Sequence, residues 1–267
     1  MILDRDYYRR NQTDALLALK QSLSDKDEVD GYVGINANGS SFIGSAPVTW
    51  TATNSITVGN SNTQSGYSNA QSGNSNTQSG YIGLQSGSNN TQSGDSGLQS
   101  GSNNTQSGSN GLQSGESAND FGLRAARTHA AGKFAASGDA QIIELVARRD
   151  TADATPAELF LDGSSVRCVL QNDSTYSFSI LVAARRTDAD GESAAYKLEG
   201  CIDRNANVAS TAMVGTVLKT VLAEDNTAWD VSATADTTNG ALAITVTGEA
   251  AKTIYWVAYI TLVQVTG

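Results

Sequence analysis

The pattern of hydrophobic and polar positions divides the chain into three parts, and the middle part is the most regular. From residue 54 to 123 a seven-residue phrase recurs, as in SNTQSGY and NNTQSGS, with Gln, Ser and Gly in fixed places. The position before each Gln alternates between Thr and Ala or Leu, so the full period is fourteen residues. Such a repeat predicts a β-solenoid (β-roll) shaft in which every coil contains two short strands, each closed by a Gly-centred turn.

Alternation along each short strand predicts which side chains share a face. The Thr or Leu place and the following Ser place lie on one face, and Gln lies on the other. The first phrase has Ile56 and Val58 on that first face, which indicates that it points inward. The predicted shaft interior contains Ile56, Val58, Thr63, Thr77, Leu84, Thr91, Leu98, Thr105, Leu112 and Phe121. The predicted outer or inter-chain row consists of Gln64, Gln71, Gln78, Gln85, Gln92, Gln99, Gln106 and Gln113.

This predicted interior is thin, because after the first phrase only a few leucines face it. Their burial would offset little of the conformational entropy that is lost when the whole repeat becomes ordered. We therefore expect the coils of several chains to associate side by side. An ordered shaft is favoured over a flexible Gly/Ser/Asn/Gln linker, because a linker requires a composition but no strict spacing.

The parts on either side of the repeat have different patterns. The N-terminal part predicts a short amphipathic helix, and residues 31–53 predict strands and turns. After the repeat, recurring turn signals and alternating segments rich in β-branched and aromatic residues predict an antiparallel β-sandwich that is jelly-roll-like, with Trp229 and Trp256 in its core or an interface. The last strand, 254–265, is the most apolar, so we expect it to be central. The fold class is mainly β. The predicted domains are an anchor over 1–46, a shaft over 47–123 and a tip over 124–267.

The N-terminal part also has the composition of an attachment surface. Tyr and Arg, which are over-represented in interfaces, stand just before leucines at helical spacing. A helix this short is marginal alone, so we expect it to pack against other chains or a larger assembly. The predicted attachment residues are Tyr7, Tyr8, Arg9, Arg10, Leu16, Leu19 and Leu23.

Charge and hydropathy exclude several classes of function. The formal net charge of −10 argues against a nucleic-acid partner bound through a basic surface. No run of eighteen apolar residues occurs, so we expect no membrane insertion. The N-terminus lacks the pattern of a secretory signal peptide.

Residues with catalytic chemistry are few. His129 is the only histidine and stands in a polar, small-residue joint, where we expect it to be exposed. Cys168 and Cys201 lack zinc-site spacing, and we predict two buried free thiols, although a pairing between them stays open. No acidic pair is marked by its surroundings for glycan cleavage, and we predict that the protein is not an enzyme and needs no cofactor.

One loop could hold a metal ion. Asp188, Asp190 and Glu192 have oxygen ligands at a spacing that a calcium ion could use. The loop lacks the length and the final Glu of a calcium-binding hand, so we favour a solvated hairpin turn and predict no metal site.

The phrase NSITVG at 54–59 resembles the repeating phrase in the head domains of trimeric autotransporter adhesins, which form a left-handed parallel β-roll with fourteen residues per coil. Similar rolls occur in bacteriophage fibre proteins. Segments of the last part, such as LFLDG and WDVSATAD, are similar to terminal domains of virion fibres. The resemblance of the repeat covers residues 54–123 and implies a homotrimer. The sequence departs from the pattern where Thr or Leu and Ser replace the usual apolar pair.

These expectations combine into a bacteriophage tail or head fibre that assembles in the host cytoplasm and lies on the surface of the virion. Its N-terminus would join other virion proteins, and its C-terminal domain would recognise a host-surface glycan or protein. The alternatives are a small glycan-depolymerising tailspike, a purely structural decoration or connector protein, and a bacterial trimeric surface adhesin. The lack of an export signal and of a membrane-anchoring segment favours a phage protein over an adhesin.

Overall fold

The computed structural model describes the backbone of residues 32–35, 41–44 and 49–50 and the complete residues 55–267. The predicted N-terminal helix lies outside the described residues, as do the predicted attachment residues Tyr7, Tyr8, Arg9, Arg10, Leu16, Leu19 and Leu23. The described chain is mainly β, and its only helical element is a 3-10 turn at Val208–Ser210. No helix in these ranges is long and apolar enough to cross a membrane.

Two sheets form the shaft. The first, which continues beyond the shaft, contains β1 (Tyr32–Ile35), β2 (Ser41–Gly44), β4 (Ile56–Val58), β6 (Ala70–Asn74), β8 (Leu84–Ser88), β10 (Leu98–Ser102) and β12 (Leu112–Glu116). The second contains β3 (Thr49–Trp50), β5 (Thr63–Gln64), β7 (Thr77–Gln78), β9 (Thr91–Gln92) and β11 (Thr105–Gln106).

The pairing of these strands confirms the coil length. Leu84 pairs with Leu98 in the first sheet and Gln78 with Gln92 in the second, both in parallel and fourteen positions apart. The shaft is therefore a β-solenoid of about 5 turns, as the repeat predicts.

Left-handed backbone conformations close the coils, and they explain the small and polar residues in the turns. Every seventh residue has a φ between 52° and 66°, in the order Ser61, Ser68, Ser75, Ile82, Asn89, Ser96, Asn103, Asn110 and Ser117. The fixed glycines have a second reason, because the coils stack closely. A Cβ on Gly80 or on Gly94 would lie 2.1 Å from a carbonyl oxygen of the next coil.

Ile82 is the one β-branched residue in this series of turns, and its replacement is expected to stabilise the shaft. A branched side chain is disfavoured in the left-handed region, whereas Asn occupies the equivalent places at Asn89 and Asn103. We expect Ile82→Asn to raise the free energy of unfolding by about 1 kcal/mol, measured by chemical denaturation. Ile56→Asn is the control, since it removes an equally exposed isoleucine from a strand, and it is expected to bring no gain.

The faces of the coil are the reverse of the prediction. The eight glutamines of the repeat are buried, with exposed fractions of 0 to 2%. The residues predicted as interior point outward: Ile56, Val58, Thr63, Thr77, Leu84, Thr91 and Leu98 are exposed, and Thr105 and Leu112 are half-buried. Phe121 is half-buried and its ring packs on Gly138 at the end of the shaft. The predictions of an apolar interior and of an outer or inter-chain Gln row are therefore wrong.

A ladder of side-chain amides fills this interior and gives the physical reason for the reversal. Gln71 Nε2 donates to Gln85 Oε1 at 2.7 Å, and Gln85 Nε2 donates to Gln99 Oε1 at 2.6 Å. The Nε2 groups of Gln71, Gln85 and Gln99 also donate to backbone carbonyl groups of the other sheet, as Gln85 Nε2 does to Thr77 O at 3.0 Å. Buried polar groups are tolerated when they are hydrogen-bonded, and Gln85 and Gln99 meet this condition through both atoms of the amide. Elsewhere in the repeat one amide atom lacks a partner among the described residues: Nε2 of Gln64 and Oε1 of Gln71, Gln78, Gln106 and Gln113.

Asparagines and glycines complete the polar interior. Asn76 receives a backbone N–H bond from Asn90 at its Oδ1 (3.0 Å) and donates through its Nδ2 to Gly87 O (3.0 Å). Gly83 faces the interior without a side chain, and a Cβ there would lie 1.9 Å from Gln78 Nε2. The glycine therefore provides the space that the glutamine of the opposite sheet occupies.

The chain after the shaft forms long antiparallel strands. The first sheet continues through β13 (Arg127–Ala131), β14 (Ala140–Thr151), β23 (Ile254–Thr266), β17 (Ser174–Arg186), β18 (Ser193–Arg204), β19 (Ala212–Met213) and β20 (Leu218–Glu224). A smaller antiparallel sheet contains β15 (Ala157–Glu158), β16 (Cys168–Val169), β21 (Asp230–Asp236) and β22 (Ala241–Thr247).

One hydrophobic cluster joins the inner sides of these two sheets. It includes Ile180 and Ile260 of the large sheet and Val231 and Ile244 of the small one. The prediction that Trp229 and Trp256 are core residues is confirmed, because both are buried and their rings lie 5.8 Å apart. The last strand is central, between β14 and β17, as its apolar sequence indicates.

The cysteines differ from the prediction in one respect. Both are free thiols, and burial raises the pKa of Cys168 to about 12. Cys201 is only half-buried, since it stands on the outward side of β18. The prediction of two buried thiols is therefore correct for Cys168 and wrong for Cys201.

Candidate functional site

The large sheet exposes apolar side chains on one side, on the shaft and beyond it, and we call this side the outer face. Its members are Ile56, Val58, Leu84 and Leu98 on the shaft and Ile142, Val146, Leu181, Tyr259, Val263 and Val265 beyond it. Leu84 and Leu98 are 46% and 39% exposed. Exposed apolar residues that are contiguous rather than scattered mark an interaction surface.

The register shows that the shaft and the C-terminal strands contribute to the same face. Leu112 stands opposite Arg127, Arg127 opposite Glu144, and Glu144 opposite Thr261. Directly paired residues share a face of a sheet. The row that contains the leucines of the shaft therefore crosses β13 and β14 and reaches the central strand β23.

The charged groups on the outer face compensate one another. Arg127 Nη1 lies 3.1 Å from Glu144 Oε2, and the Tyr259 hydroxyl donates to Glu144 Oε1 at 2.5 Å, which raises the pKa of Tyr259. Lys197 and Glu199 form another pair at 2.8 Å. His129 is exposed, as expected, and its Nδ1 lies 2.9 Å from Ser114 Oγ. The face therefore offers apolar contact with little net charge.

An edge strand adds a second exposed surface. Strand β20 pairs with β18, and six of its seven residues are exposed, among them Leu218, Val221 and Leu222. A strand that is open on both faces and at its edge is suited to contact with another chain.

A buried carboxylate ends the polar interior of the shaft. Asp120 occupies the Gln place of the last phrase, SANDFGL, and is fully buried. Its oxygens accept bonds from Ser107 N (2.9 Å), Gly108 N (3.1 Å) and Gln113 Nε2 (3.1 Å). Burial raises the pKa of Asp120, and the hydrogen bonds oppose this shift. The sequence carried a signal for this residue, because Asp replaces Gln in an otherwise fixed place.

Hydrogen bonds attach the C-terminal sheets to the last coil. Gln141 Nε2 donates to Asn119 O at 2.7 Å and to Gln264 Oε1 at 2.9 Å. Strand β14 therefore begins at the shaft and runs away from it. Its far end, with the loops around residues 186–193 and 248–253, forms what we call the distal end.

The carboxylates considered for a metal ion lie at the distal end among cations. Arg186 lies 3.0 Å from Asp188 and 2.8 Å from Glu192, and Lys252 lies 2.7 Å from Glu192. The hydrogen bonds from Arg186 lower the pKa of Asp188 to about 2. Asp190 faces Arg185 at 3.6 Å. Residues 55–267 contain no group of three or more metal-ligating His, Cys, Asp or Glu.

A cleft of about 380 Å³ lies near the distal end, between β14, β23 and the loop at 162–164. Tyr255, Val257, Arg148 and Asp150 line it from the strands, and Ser164 lines it from the loop. No local sequence pattern marks this cleft, because it is formed by the pairing of two strands that lie far apart in the chain.

Comparisons with known proteins give distant structural similarity only. No protein-family model and no curated protein matches the sequence. The structure is similar to the tailspike protein of Acinetobacter phage vB_ApiP_P1, with 12% identity and a TM-score of 0.25 over 85% of this chain and 53% of that chain. It is also similar to the tailspike protein of Acinetobacter baumannii phage AM24, with 9% identity and a TM-score of 0.27 over 84% of this chain and 58% of that chain. The chain spans a little more than half the length of either.

The comparison corrects one expectation. The sequence predicted that the protein is not an enzyme, but both solved structures are phage tailspike proteins, and a tailspike was the enzymatic alternative considered above. The prediction of no enzymatic activity is therefore withdrawn, and tests of function must include a measurement of glycan cleavage.

Proposed function

We propose that the protein is a virion-associated β-solenoid protein of a phage tail, which works as a homotrimeric fibre. In this proposal the N-terminal residues 1–46 join it to other virion proteins, and the shaft acts as a spacer. Residues 135–267, which we take to be a β-sandwich, contact a glycan or protein of the host surface.

The observation that carries the proposal is the outer face. The shaft encloses amides, so its own interior provides little hydrophobic stabilisation, while its leucines lie on the surface. Burying Leu84 and Leu98 against other copies would supply the apolar contact that the single chain lacks. Two further copies fit this face because all three carry the same residues at the same fourteen-residue spacing, so that identical rows meet about a common axis along the shaft.

The geometry of the C-terminal part supports its role in display. Strand β14 runs for twelve residues from Ala140 to Thr151 and pairs with β13 through residues 142–144. The rest of the strand carries the distal end roughly 20 Å away from the last coil, along the strand direction. The origin in a phage rests on the resemblance of the repeat to fibre rolls. Localisation on the virion follows from that origin.

Adsorption to host cells tests the proposal. The purified chain labelled with a fluorophore is expected to bind host cells, and a variant lacking residues 1–46 is expected to bind them equally well but no longer to join virions. A chain that ends at residue 123 serves as the control and should not bind cells. Failure of the full chain to bind host cells would refute the role in recognition. The release of reducing ends from host polysaccharide is measured in the same samples, because it separates a binding fibre from a cleaving one.

A further inference from the structure

The cleft near the distal end combines an aromatic ring with unpaired polar groups. Tyr255 is 58% exposed and stands opposite Asp150 in the strand pair, while Val257 stands opposite Arg148. These four side chains therefore share one face of the sheet, which is the outer face at its distal end, away from the shaft leucines proposed above to contact other copies. Among the described residues, neither the Tyr255 hydroxyl nor the Asp150 carboxylate has a hydrogen-bond partner.

A rigid loop forms the other wall of the cleft. The carboxylate of Asp162 accepts bonds from the backbone N–H groups of Ser164, Ser165 and Val166 at 2.8 to 2.9 Å, and these bonds hold its pKa far below the usual range. Arg148 bonds the loop to β14. Its backbone N–H donates to Phe160 O, and its side-chain Nη2 donates to Asp162 O at 3.0 Å. The cleft is therefore formed before any ligand arrives, which lowers the entropic cost of binding.

The charges of the cleft balance. The guanidinium of Arg149 lies over the Phe160 ring, 5.5 Å from the centroid. The carboxylate of Asp162 accepts hydrogen bonds from the backbone of its own loop. The charges left for a ligand are one cation, Arg148, and one anion, Asp150. A ligand with net charge would gain from one and lose from the other, so the balance favours a neutral ligand.

We propose that this cleft binds a neutral pyranose unit of a host-surface polysaccharide. The apolar face of a sugar ring packs on an exposed tyrosine, whose ring is apolar and whose hydroxyl stays hydrated. Asp150 accepts hydrogen bonds from sugar hydroxyl groups, and Arg148 donates to them. The volume of about 380 Å³ lies in the range of small-ligand sites. This inference rests on the proposed role in host recognition and names the site and the class of ligand.

Saturation-transfer NMR tests the site with three uncharged probes, the methyl pyranosides of glucose, galactose and mannose, and one acidic probe, methyl glucuronide. At least one neutral probe is expected to bind the full chain. Tyr255→Ala and Asp150→Asn are each expected to weaken that binding about tenfold, which corresponds to one lost stacking contact or charge-assisted hydrogen bond. Tyr81→Ala is the matched control, since it removes a tyrosine of similar exposure from the shaft, and it should bind like the unaltered chain.

The outcomes separate the site from the proposed function. If the unaltered chain adsorbs to host cells but binds no neutral probe, or if Tyr255→Ala binds the probe as well as the unaltered chain does, the sugar site is wrong and host recognition stands. Stronger binding of methyl glucuronide than of every neutral probe contradicts the neutral ligand class. If the unaltered chain does not adsorb to host cells, the proposed function itself fails. Both substituted residues are exposed, so the variants are expected to fold, which circular dichroism checks.

Discussion

Replacing Leu84 and Leu98 together with lysine is expected to separate the chains of the proposed trimer. The sedimentation mass should fall from three times to one times the 27.7 kDa of a single chain. Each leucine now exposed on the outer face would be buried between copies, and a lysine there loses that contact and brings an ammonium group out of water. The two effects together cost on the order of several kcal/mol for every buried lysine. A trimer of this variant would bury six such lysines.

Analytical ultracentrifugation measures this change, and the second sheet of the shaft provides the control. Thr77→Lys with Thr91→Lys places two lysines at the same fourteen-residue spacing on exposed positions of that sheet. This control is expected to keep the mass of the unaltered protein. If the lysines at Leu84 and Leu98 leave the mass unchanged, the outer face is not the contact between copies.

The architecture of the shaft was predictable from the sequence because it depends on spacing. The alternation of Thr with Leu before each Gln specified coils of fourteen residues, and the strand pairs have that offset throughout. The fixed glycines indicated close turns. The length of the repeat gives the number of residues per coil, whichever face of the strands is buried.

The direction of the faces was not predictable from the first phrase. Ile56 and Val58 suggested an apolar interior, but they belong to the outer face, and Thr57 between them is the buried residue. Apolar residues indicate the buried face only where polar side chains could not form their hydrogen bonds in the interior. Here a repeated amide can bond to its own copy one coil away, so a polar residue is stable inside.

The C-terminal part was predictable in its strands but not in its site. Turn signals and alternation indicated an antiparallel arrangement, and the apolar last strand indicated a central position, both of which the structure has. The cleft brings Asp150 next to Tyr255 through the pairing of β14 with β23. No local pattern in the sequence specifies that register, so neither residue was a candidate.

The direction of the faces has a decisive consequence at Gln85. Gln85→Glu is expected to lower the free energy of unfolding of the shaft by about 3–5 kcal/mol, because it buries a charge with no cation to pair with it. Gln85 Nε2 donates to Gln99 Oε1 and to Thr77 O. A carboxylate oxygen in its place would face two acceptors and no donor.

The control for this substitution lies on the second sheet, away from the outer face. Thr91 is exposed, so Thr91→Glu is expected to change the stability by less than about 0.5 kcal/mol. An interior lined by the Thr, Leu and Ser places would give the opposite order, with Thr91→Glu severe and Gln85→Glu mild. Amide hydrogen exchange of the shaft strands measures both variants without requiring reversible unfolding of the whole protein.

The pH dependence of the stability of Gln85→Glu shows whether the loss of stability comes from a buried charge or from the altered shape of the side chain. Burial raises the pKa of a carboxyl group, so the folded Gln85→Glu variant binds a proton more readily than its unfolded chain does. Its stability deficit should therefore shrink as the pH falls through the raised pKa towards the ordinary value for Glu, and it should be largest at neutral pH. A deficit that stays constant between neutral and acidic pH would mean that the carboxylate reaches water, and that position 85 does not point into the shaft.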